Sequence, residues 1–420
     1  MSNDLRKQAL DYHRARKGKV EIISKMPVKG KEGLSLAYTP GVAEPCKEIH
    51  QNPADVFEYT GRGNTVAVVT DGTAVLGLGD IGPEAAMPVM EGKCILFKMF
   101  AAVDAVPICL STKDPDEIVK TVKLMEPTFG GINLEDISAP RCFDIERRLK
   151  EEMKIPIFHD DQHGTAIVVV GALVNALKVT EKDPDQVKVV INGAGASGMS
   201  CARILMRYGV KNVILVDSRG VIYDGRTEGM NPFKDEIAKE SNPEGIKGGL
   251  ADAMKGADVL IGLSVAGAVS GDMVKSMSDR AVVMAMANPV PEIMPDEAEA
   301  AGAYVICTGR SDFANQINNV LAFPGVLRGA MDVRARDINE DMKVAAGLAI
   351  GELVADSDLN PGYIIPLPMD ERVAPAVAAA TAKAAMDTGI AALKVDPETI
   401  AKNTYQMVEK MVKLQQLATP

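Results

Sequence analysis

The chain has 420 residues, a formal net charge of −11, and apolar and charged fractions of 47% and 25%. This length accommodates two domains with large cores, and the composition is that of a globular protein rather than a disordered or fibrous one. The acidic balance argues against a nucleic-acid partner, because the sequence offers no basic stripe that would neutralise phosphates.

Two further features concern the compartment. No apolar run approaches the roughly 20 residues of a membrane span, and the polar N-terminus lacks the pattern of a signal peptide. The six cysteines form no CxxC pair and mostly lie in apolar surroundings, which is typical of reduced core residues. We therefore expect a cytoplasmic protein without a membrane partner.

The first part of the chain is predicted to mix helices, loops and strands. Residues 1–25 are strongly charged and indicate a helix, whereas 26–40 indicate a loop that ends in turn residues. Strands are predicted at 66–70 and 106–110, and a helix that Asp114 caps is predicted to run to about Met125.

Two apolar runs in this part end in carboxylates. Glu135 and Asp136 follow one run, and about 25 residues later Asp160 and Asp161 follow the run 155–158. Apolar runs of this kind are typical of buried strands that deliver their last residues to a site. Carboxylates brought that close cannot all stay ionised unless a cation joins them, and Mg²⁺ or Mn²⁺ prefers oxygen ligands. Either acidic pair alone is also compatible with a solvated loop end, but both together favour a metal site.

From residue 165 the pattern changes. An apolar segment at 165–178 predicts a buried helix that connects two domains, and strands then alternate with helices, as in a parallel α/β sheet. The predicted strands are 187–192, 212–217, 258–263, 281–286 and 304–308. Residues 338–420 are rich in alanine and predicted to be mostly helical.

A glycine-rich loop lies between the first two of these strands. Its residues are Gly193-Ala194-Gly195-Ala196-Ser197-Gly198. The loop follows a strand, opens a helix and is followed by Asp217 at the end of the next strand, which together form a strong dinucleotide-binding signal. The first glycine makes the turn, the second lets the pyrophosphate approach, and the third allows close helix–strand packing. The pyrophosphate would lie at the helix N-terminus and Asp217 at the ribose.

Amide side chains follow the last two strands. Asn288 comes after the fourth strand, and Asn315, Asn318 and Asn319 come after the fifth. A single asparagine is often only a turn former. Several at the carboxyl ends of parallel strands favour a ligand site.

These motifs jointly resemble the malic enzyme family of the short bacterial type, from Leu34 to about Asp332. The landmarks are Leu36-Ala37-Tyr38-Thr39-Pro40-Gly41-Val42-Ala43-Glu44-Pro45, Gly77-Leu78-Gly79-Asp80, Leu134-Glu135-Asp136, Asp160-Asp161-Gln162-His163-Gly164-Thr165, and Asn318-Asn319 with Phe323-Pro324-Gly325. The resemblance implies an α/β protein with an N-terminal malic-type domain over 1–164 and a Rossmann-like, doubly wound parallel-sheet domain over 165–390. A C-terminal helical segment over 391–420 completes the predicted division.

The activity that the resemblance implies is oxidative decarboxylation of (S)-malate to pyruvate and CO₂, with NAD or NADP and with Mg²⁺ or Mn²⁺. The residues that match functional positions of the family are Glu135, Asp136 and Asp161 as metal ligands, Lys93 as general base, Asp160 as its support, Tyr38 as general acid, and Asn288 and Asn319 at the substrate, with Asn288 also at the cofactor. A lysine base at neutral pH requires a lowered pKa. A homodimer or homotetramer is expected, and the charged N-terminal helix is the place to look for exchange between subunits.

Two points depart from the family or stay open. Ala74 stands where long eukaryotic members carry an arginine that grips a substrate carboxylate, and Arg141 and Arg310 are candidates to replace it. Asp217 would repel a 2′-phosphate and favours NAD, whereas the following Ser218-Arg219 would grip one and favours NADP.

Three alternatives remain. A malolactic-type lyase would retain the nicotinamide cofactor and release lactate. A non-catalytic dinucleotide-sensing protein would keep the fold alone. A plain hydroxy-acid dehydrogenase would use a histidine base, for which His159 and His163 are the residues to check.

Overall fold

The computed structural model of the chain describes residues 3–26, 28–75 and 77–418. The N-terminal region contains short helices that precede the first sheet. They are α1 (Asn3–Arg16), α2 (Gly30–Ala37), α3 (Ala43–Gln51) and α4 (Val56–Tyr59), with 3₁₀ turns at Pro53–Asp55 and Gly61–Asn64.

This region corrects two predictions. The helix expected over 1–25 ends at Arg16, because Lys17 and Gly18 adopt positive φ angles of 54° and 118°, and such a left-handed glycine terminates a helix. Residues 1 and 2 lie outside the described residues. The loop expected over 26–40 contains α2, whose sequence between Gly30 and Ala37 holds helix-forming lysine, glutamate and leucine residues.

A four-stranded parallel sheet follows, in the order β2-β1-β3-β4. Its elements are β1 (Thr65–Thr70), α5 (Pro83–Ala101), β2 (Asp104–Cys109), α6 (Pro115–Met125), β3 (Gly131–Leu134), α7 (Arg141–Glu152) and β4 (Ile157–His159). The predicted strands are confirmed, and the Asp114 side chain caps α6 by accepting from the amide of Asp116. All four carboxyl ends meet at one edge, so residues that follow β3 and β4 become neighbours.

Helix α8 (Asp160–Thr180) connects this sheet to the second one. It begins five residues earlier than predicted, so that Asp160 and Asp161 form its first turn. The helix is long and apolar enough to cross a membrane, but 78% of its most apolar window is buried inside the protein. It packs against α9 and α15 and serves as a core helix.

The second sheet has six strands in the order β10-β9-β8-β5-β6-β7, all parallel except for β7. The strands are β5 (Lys188–Asn192), β6 (Asn212–Asp217), β7 (Gly220–Val221), β8 (Val259–Gly262), β9 (Val282–Ala285) and β10 (Val305–Thr308). The helices between them are α9 (Ala196–Tyr208), α10 (Pro232–Ala238), α11 (Leu250–Met254), α12 (Gly271–Lys275) and α13 (Pro295–Ala300). The five predicted strands are confirmed. The chain proceeds from β5 to β6 on one side and returns to β8 on the other, which creates a ligand crevice at the carboxyl end of β5.

Helices complete the chain. They are α14 (Phe323–Asp332), α15 (Glu340–Glu352), α16 (Val373–Asp387) and α17 (Pro397–Ala418), and a 3₁₀ turn at Asn319–Leu321 precedes them. The α15 and α8 backbones approach so closely that a Cβ on Gly347 would lie 2.8 Å from the carbonyl oxygen of Ile167. This packing fixes the helix that begins with the acidic pair.

Candidate active site

Three carboxylates from two adjacent strand ends meet in one place. Glu135 and Asp136 follow β3, and Asp161 lies just after β4, whose His159 pairs in register with Leu134. One oxygen of each carboxylate lies within 4.8 Å of the others. The sequence predicted this meeting from the two apolar runs, and the parallel pairing of β3 with β4 is its physical cause.

A buried lysine contacts this acidic cluster. Lys93 lies on α5 and is only 7% exposed, with Nζ 2.6 Å from Asp160 Oδ2 and 2.9 Å from Glu135 Oε1. The same ammonium lies 4.2 Å from the centroid of the Phe323 ring. Asp160 also accepts a hydrogen bond from the Asn319 amide. The lysine head group is thus held from three sides, and the structure brings Lys93 together with Asp160, its predicted support, and with Asn319.

The electrostatics of the cluster reflect uncompensated negative charge. Burial and the charges of Asp161 and Glu135 raise the pKa of Asp136 to about 9, and burial raises the pKa of Asp160 to about 7. Burial lowers the pKa of Lys93, but the carboxylates of Asp160 and Glu135 outweigh it, so that this pKa is raised. The lowered lysine pKa that a base requires is therefore absent while the carboxylates are unneutralised. A cation among them would reverse the sign of the local field.

A divalent ion fits the donor set. Within the described residues, the buried Oδ2 of Asp136 has no hydrogen-bond partner, and its main-chain amide donates to Asp161 Oδ2 over 2.7 Å. Glu135 is oriented by Asn133, whose Nδ2 donates to Oε2 at 2.8 Å. Three carboxylates with a free buried oxygen are the oxygen-rich environment that Mg²⁺ and Mn²⁺ prefer.

The glycine-rich loop has the shape required for a dinucleotide. A Cβ on Gly193 (φ 124°) would lie 2.3 Å from the Leu263 carbonyl oxygen, and a Cβ on Gly198 would lie 1.7 Å from the Gly193 carbonyl oxygen. Nothing lies within 4 Å of the equivalent position on Gly195. The first and third glycines are therefore required by close packing, whereas the second faces open space at the N-terminus of α9. Ala194, Ala196 and Ser197 complete the loop.

Asp217 at the end of β6 is surrounded by cations. Arg226 donates from Nη1 to Oδ1 at 2.9 Å and from Nη2 to Oδ2, and Lys234 Nζ lies 2.6 Å from Oδ2. Burial opposes ionisation of Asp217, but hydrogen bonds from Arg226 and Lys234 lower its pKa to about 2. Sequence reasoning missed both cations. Both residues lie in the segment that follows β7, and nothing in the local sequence indicates that this segment folds back to Asp217.

Asn288 lies on the other side of the crevice. A Cβ on Gly309 would come within 2.9 Å of its Nδ2, and a Cβ on Gly77 within 3.6 Å of its carbonyl oxygen. The loop of the first domain that contains Gly77 thus faces the loop that contains Asn288. Asn318 has a local role, because its side chain caps the 3₁₀ turn by accepting from the amide of Val320.

The predicted catalytic Tyr38 is not brought to the cluster within this chain. It is 67% exposed at the end of α2, and in the described part of the chain its hydroxyl forms no hydrogen bond. Neither α2 nor α3 buries a residue.

The candidate arginines and histidines have other partners. Arg141 pairs with the buried Asp71 at 2.9 Å, and Arg310 pairs with Asp312 at 2.6 Å. His163 lies 2.8 Å from Glu146, and burial lowers its pKa to about 4, so its ring is neutral. His159 is fully buried, with Nδ1 3.7 Å from Asp161 Oδ2.

A dinucleotide loop that faces an acidic cluster and a buried lysine defines the class of an NAD(P)-dependent oxidoreductase. Two family models match the chain: the malic enzyme N-terminal domain over residues 17–150 and the malic enzyme NAD-binding domain over 162–386. The chain belongs to the malic enzyme family, and the family predicted from the motifs is confirmed.

Known proteins resemble the chain over nearly its whole length. It is 60% identical to a bifunctional malic/malolactic enzyme of Bacillus subtilis (strain 168), over 96% of this chain and 98% of that protein. It is 55% identical to an NAD-dependent malic enzyme of Geobacillus stearothermophilus, over 89% and 78% of the two chains. The crystal structure of malic enzyme from Pyrococcus horikoshii Ot3 superimposes with a TM-score of 0.94 at 46% identity and covers 96% of each chain.

Proposed function

We propose that this malic enzyme oxidatively decarboxylates (S)-malate to pyruvate and CO₂ with reduction of NAD⁺ or NADP⁺. The observation that carries the proposal is the contact of Lys93 with Asp160 and Glu135 beside the three-carboxylate cluster, in a chain that also holds a dinucleotide loop. A nicotinamide cofactor held at the Gly193–Gly198 loop would accept the hydride from C2 of malate, and Lys93 would take the proton of the C2 hydroxyl. The resulting β-keto acid loses CO₂, and protonation at C3 gives pyruvate.

Glu135, Asp136 and Asp161 hold Mg²⁺ or Mn²⁺ in this proposal. The unpartnered buried oxygen of Asp136 and the mutual spacing of the carboxylates support it. When bound, the ion supplies Lewis-acid chemistry, by polarising the substrate hydroxyl and stabilising the charge left by CO₂ loss. Asp160 and Asn319 position the lysine, and Asn133 positions Glu135.

Tyr38 is the proposed acid at C3, and a homodimer supplies the environment that it lacks in one chain. The segment around it exposes many large apolar side chains, far more than isolated surface residues would. They are Val20, Ile22, Ile23, Met26, Val28, Leu34, Leu36, Tyr38 and Val42. A second copy that covers this segment removes the apolar surface from water and brings a tyrosine to each lysine.

The ribose pocket supports use of NADP⁺ as well as NAD⁺. Asp217 alone would repel a 2′-phosphate, but Arg226 and Lys234 give the group of three a net positive charge. The main-chain amide of Arg219 also donates to Asp217 Oδ1 at 2.8 Å, whereas the Arg219 guanidinium pairs with Glu228 at 3.1 Å.

A malolactic lyase is the second candidate, because the Bacillus subtilis relative is named a bifunctional malic/malolactic enzyme. Such a reaction returns the hydride and releases lactate without net redox change. The same site would serve both reactions, so the products decide between them.

The test is absorbance at 340 nm with purified protein, malate and Mn²⁺, with NAD⁺ and NADP⁺ separately and with EDTA. A rise that EDTA abolishes, with pyruvate as product, supports the proposal. Lactate without a rise establishes the lyase. If neither product forms although the cofactor binds, both reactions are contradicted.

A further inference from the structure

The helix that carries the acidic pair and the helix that opens at the dinucleotide loop are joined by two side-chain hydrogen bonds. Ser197 Oγ donates to the main-chain carbonyl of Asp161, with 2.6 Å between the oxygens. Ser200 Oγ lies 2.9 Å from His163 Nδ1. Ser197 and Ser200 are three residues apart on α9, so both contacts lie on the face that packs against α8.

The Ser197 bond differs from the other because it begins in the glycine-rich loop. A serine hydroxyl donates one hydrogen bond, and here the main-chain carbonyl of Asp161 accepts it, so the Ser197 hydroxyl cannot also donate to a phosphate. The contact continues beyond Asp161, whose Oδ2 accepts from the amide of Asp136 at 2.7 Å. Ser197 is thus hydrogen-bonded to the main chain of Asp161, and the Asp161 carboxylate is in turn hydrogen-bonded to the main chain of Asp136, so the dinucleotide loop is connected to two of the residues that carry the clustered carboxylates.

We infer that Ser197 is a positioning residue through which occupancy of the dinucleotide loop raises the affinity of the acidic cluster for a divalent ion. The inference rests on the proposed function, since it requires both ligands. A pyrophosphate at the N-terminus of α9 orders the loop and therefore the Ser197 hydroxyl. The hydroxyl in turn fixes the Asp161 main chain. The divalent ion then binds to carboxylates that are already ordered, so its binding costs less conformational entropy.

The size of the effect follows from one hydrogen bond. The net free energy of one hydrogen bond corresponds to a change of about fivefold in the affinity for the divalent ion. Linkage requires the same factor in both directions, so Mn²⁺ must strengthen cofactor binding as much as cofactor strengthens Mn²⁺ binding. The two titrations therefore check each other.

The experiment measures Mn²⁺ dissociation constants of the full chain from the electron paramagnetic resonance signal of free Mn²⁺. Each titration is run without cofactor and with a saturating amount of NAD⁺ or NADP⁺, whichever the wild-type protein binds more tightly. The wild type is expected to bind Mn²⁺ about fivefold more tightly with cofactor, and Ser197→Ala about equally with and without it. Ser197→Thr, which keeps the hydroxyl, restores the difference.

Ser200→Ala is the matched control, because it removes a hydroxyl between the same helices without touching the loop or Asp161. It is expected to keep the wild-type ratio of the two constants. A merely structural loss in Ser197→Ala would weaken Mn²⁺ binding by the same factor with and without cofactor. An unchanged ratio in that variant, or no coupling in the wild type, overturns the inference. A wild-type chain that binds no Mn²⁺ overturns the proposed metal site as well.

Discussion

The Nζ of Lys93 lies 2.6 Å from Oδ2 of Asp160, and both side chains are buried. Removing one member of a buried pair leaves the other charge uncompensated. The contact between Lys93 and Asp160 lies beside the acidic cluster, whose carboxylates repel one another. A functional requirement accounts for this arrangement better than stability does, since an apolar pair of similar volume is often as stable.

Replacement of Lys93 by alanine is expected to lower kcat by about 10²–10⁴-fold, the usual contribution of a positioned acid–base group. Lys93→Arg is not expected to restore it, because a guanidinium does not release its proton near neutral pH. The measurement is the initial rate at 340 nm, together with the cofactor dissociation constant, which should change little. Lys383→Ala is the control, since that lysine is exposed and pairs with Asp387 on α16. A Lys93→Ala variant with near-normal kcat would rule out the base.

The exposure of Tyr38 gives a test of where the tyrosine acts. If each site takes Lys93 from one chain and Tyr38 from the other, mixed dimers of Lys93→Ala and Tyr38→Phe contain one intact site. Random exchange of subunits should then restore about a quarter of wild-type activity from two inactive proteins. The activity of the mixture is measured after subunit exchange and compared with each variant alone. Absence of any recovery, with exchange verified by mass spectrometry of tagged chains, would place Tyr38 in its own subunit's site.

Lys234→Ala is expected to weaken the binding of NADP⁺ more than the binding of NAD⁺. The substitution removes one cation and leaves Asp217 with Arg226 alone, so a 2′-phosphate meets less positive charge. Loss of one charge-assisted hydrogen bond corresponds to about a tenfold rise in the KM for NADP⁺. The KM values for both cofactors are measured in parallel, and Lys255→Ala, an exposed lysine paired with Asp252, serves as control. Equal effects on both cofactors would show that Lys234 does not discriminate at the 2′ position.

The close approach of α8 and α15 makes a stability prediction. In Gly347→Ala the new Cβ would lie 2.8 Å from both the Ile167 carbonyl oxygen and the Val170 Cβ, so the helices must move apart. We expect a loss of about 1–3 kcal/mol in the free energy of unfolding. Gly92→Ala on α5 is the matched control, because its nearest neighbour, Lys19 Nζ, is 3.6 Å away. That change should be neutral or stabilise by up to about 1 kcal/mol. Chemical denaturation compares the two, and equal midpoints would contradict the argument.

Much of the fold was predictable because its signals are local. The ends of each of the five predicted strands of the second sheet lie within one residue of the observed ends. Runs of β-branched residues between turns indicate these strands. The meeting of Glu135 with Asp161 was also predictable, because residues that follow neighbouring parallel strands share an edge. The family resemblance added the roles of individual residues, and these roles remain predictions.

What the sequence missed depends on contacts between distant segments. Arg226 and Lys234 reach Asp217 only because the chain folds back after β7, and no spacing rule marks that return. The tie from Ser197 to Asp161 spans 36 residues and depends on how α9 packs against α8. The exposed position of Tyr38 was likewise not predictable, since the motif around it gives no information on which surface will cover it.

The acidic cluster is shared between the end of β3 and the first turn of α8. Glu135 and Asp136 follow a strand of the first sheet, whereas Asp161 lies on a helix that packs along its length against α9 and α15. The position of the Asp161 carboxylate relative to the other two therefore depends on how α8 packs. An ion held by Glu135, Asp136 and Asp161 would therefore couple the end of β3 to the packing of α8, so a substitution that shifts this helix would also weaken the metal site.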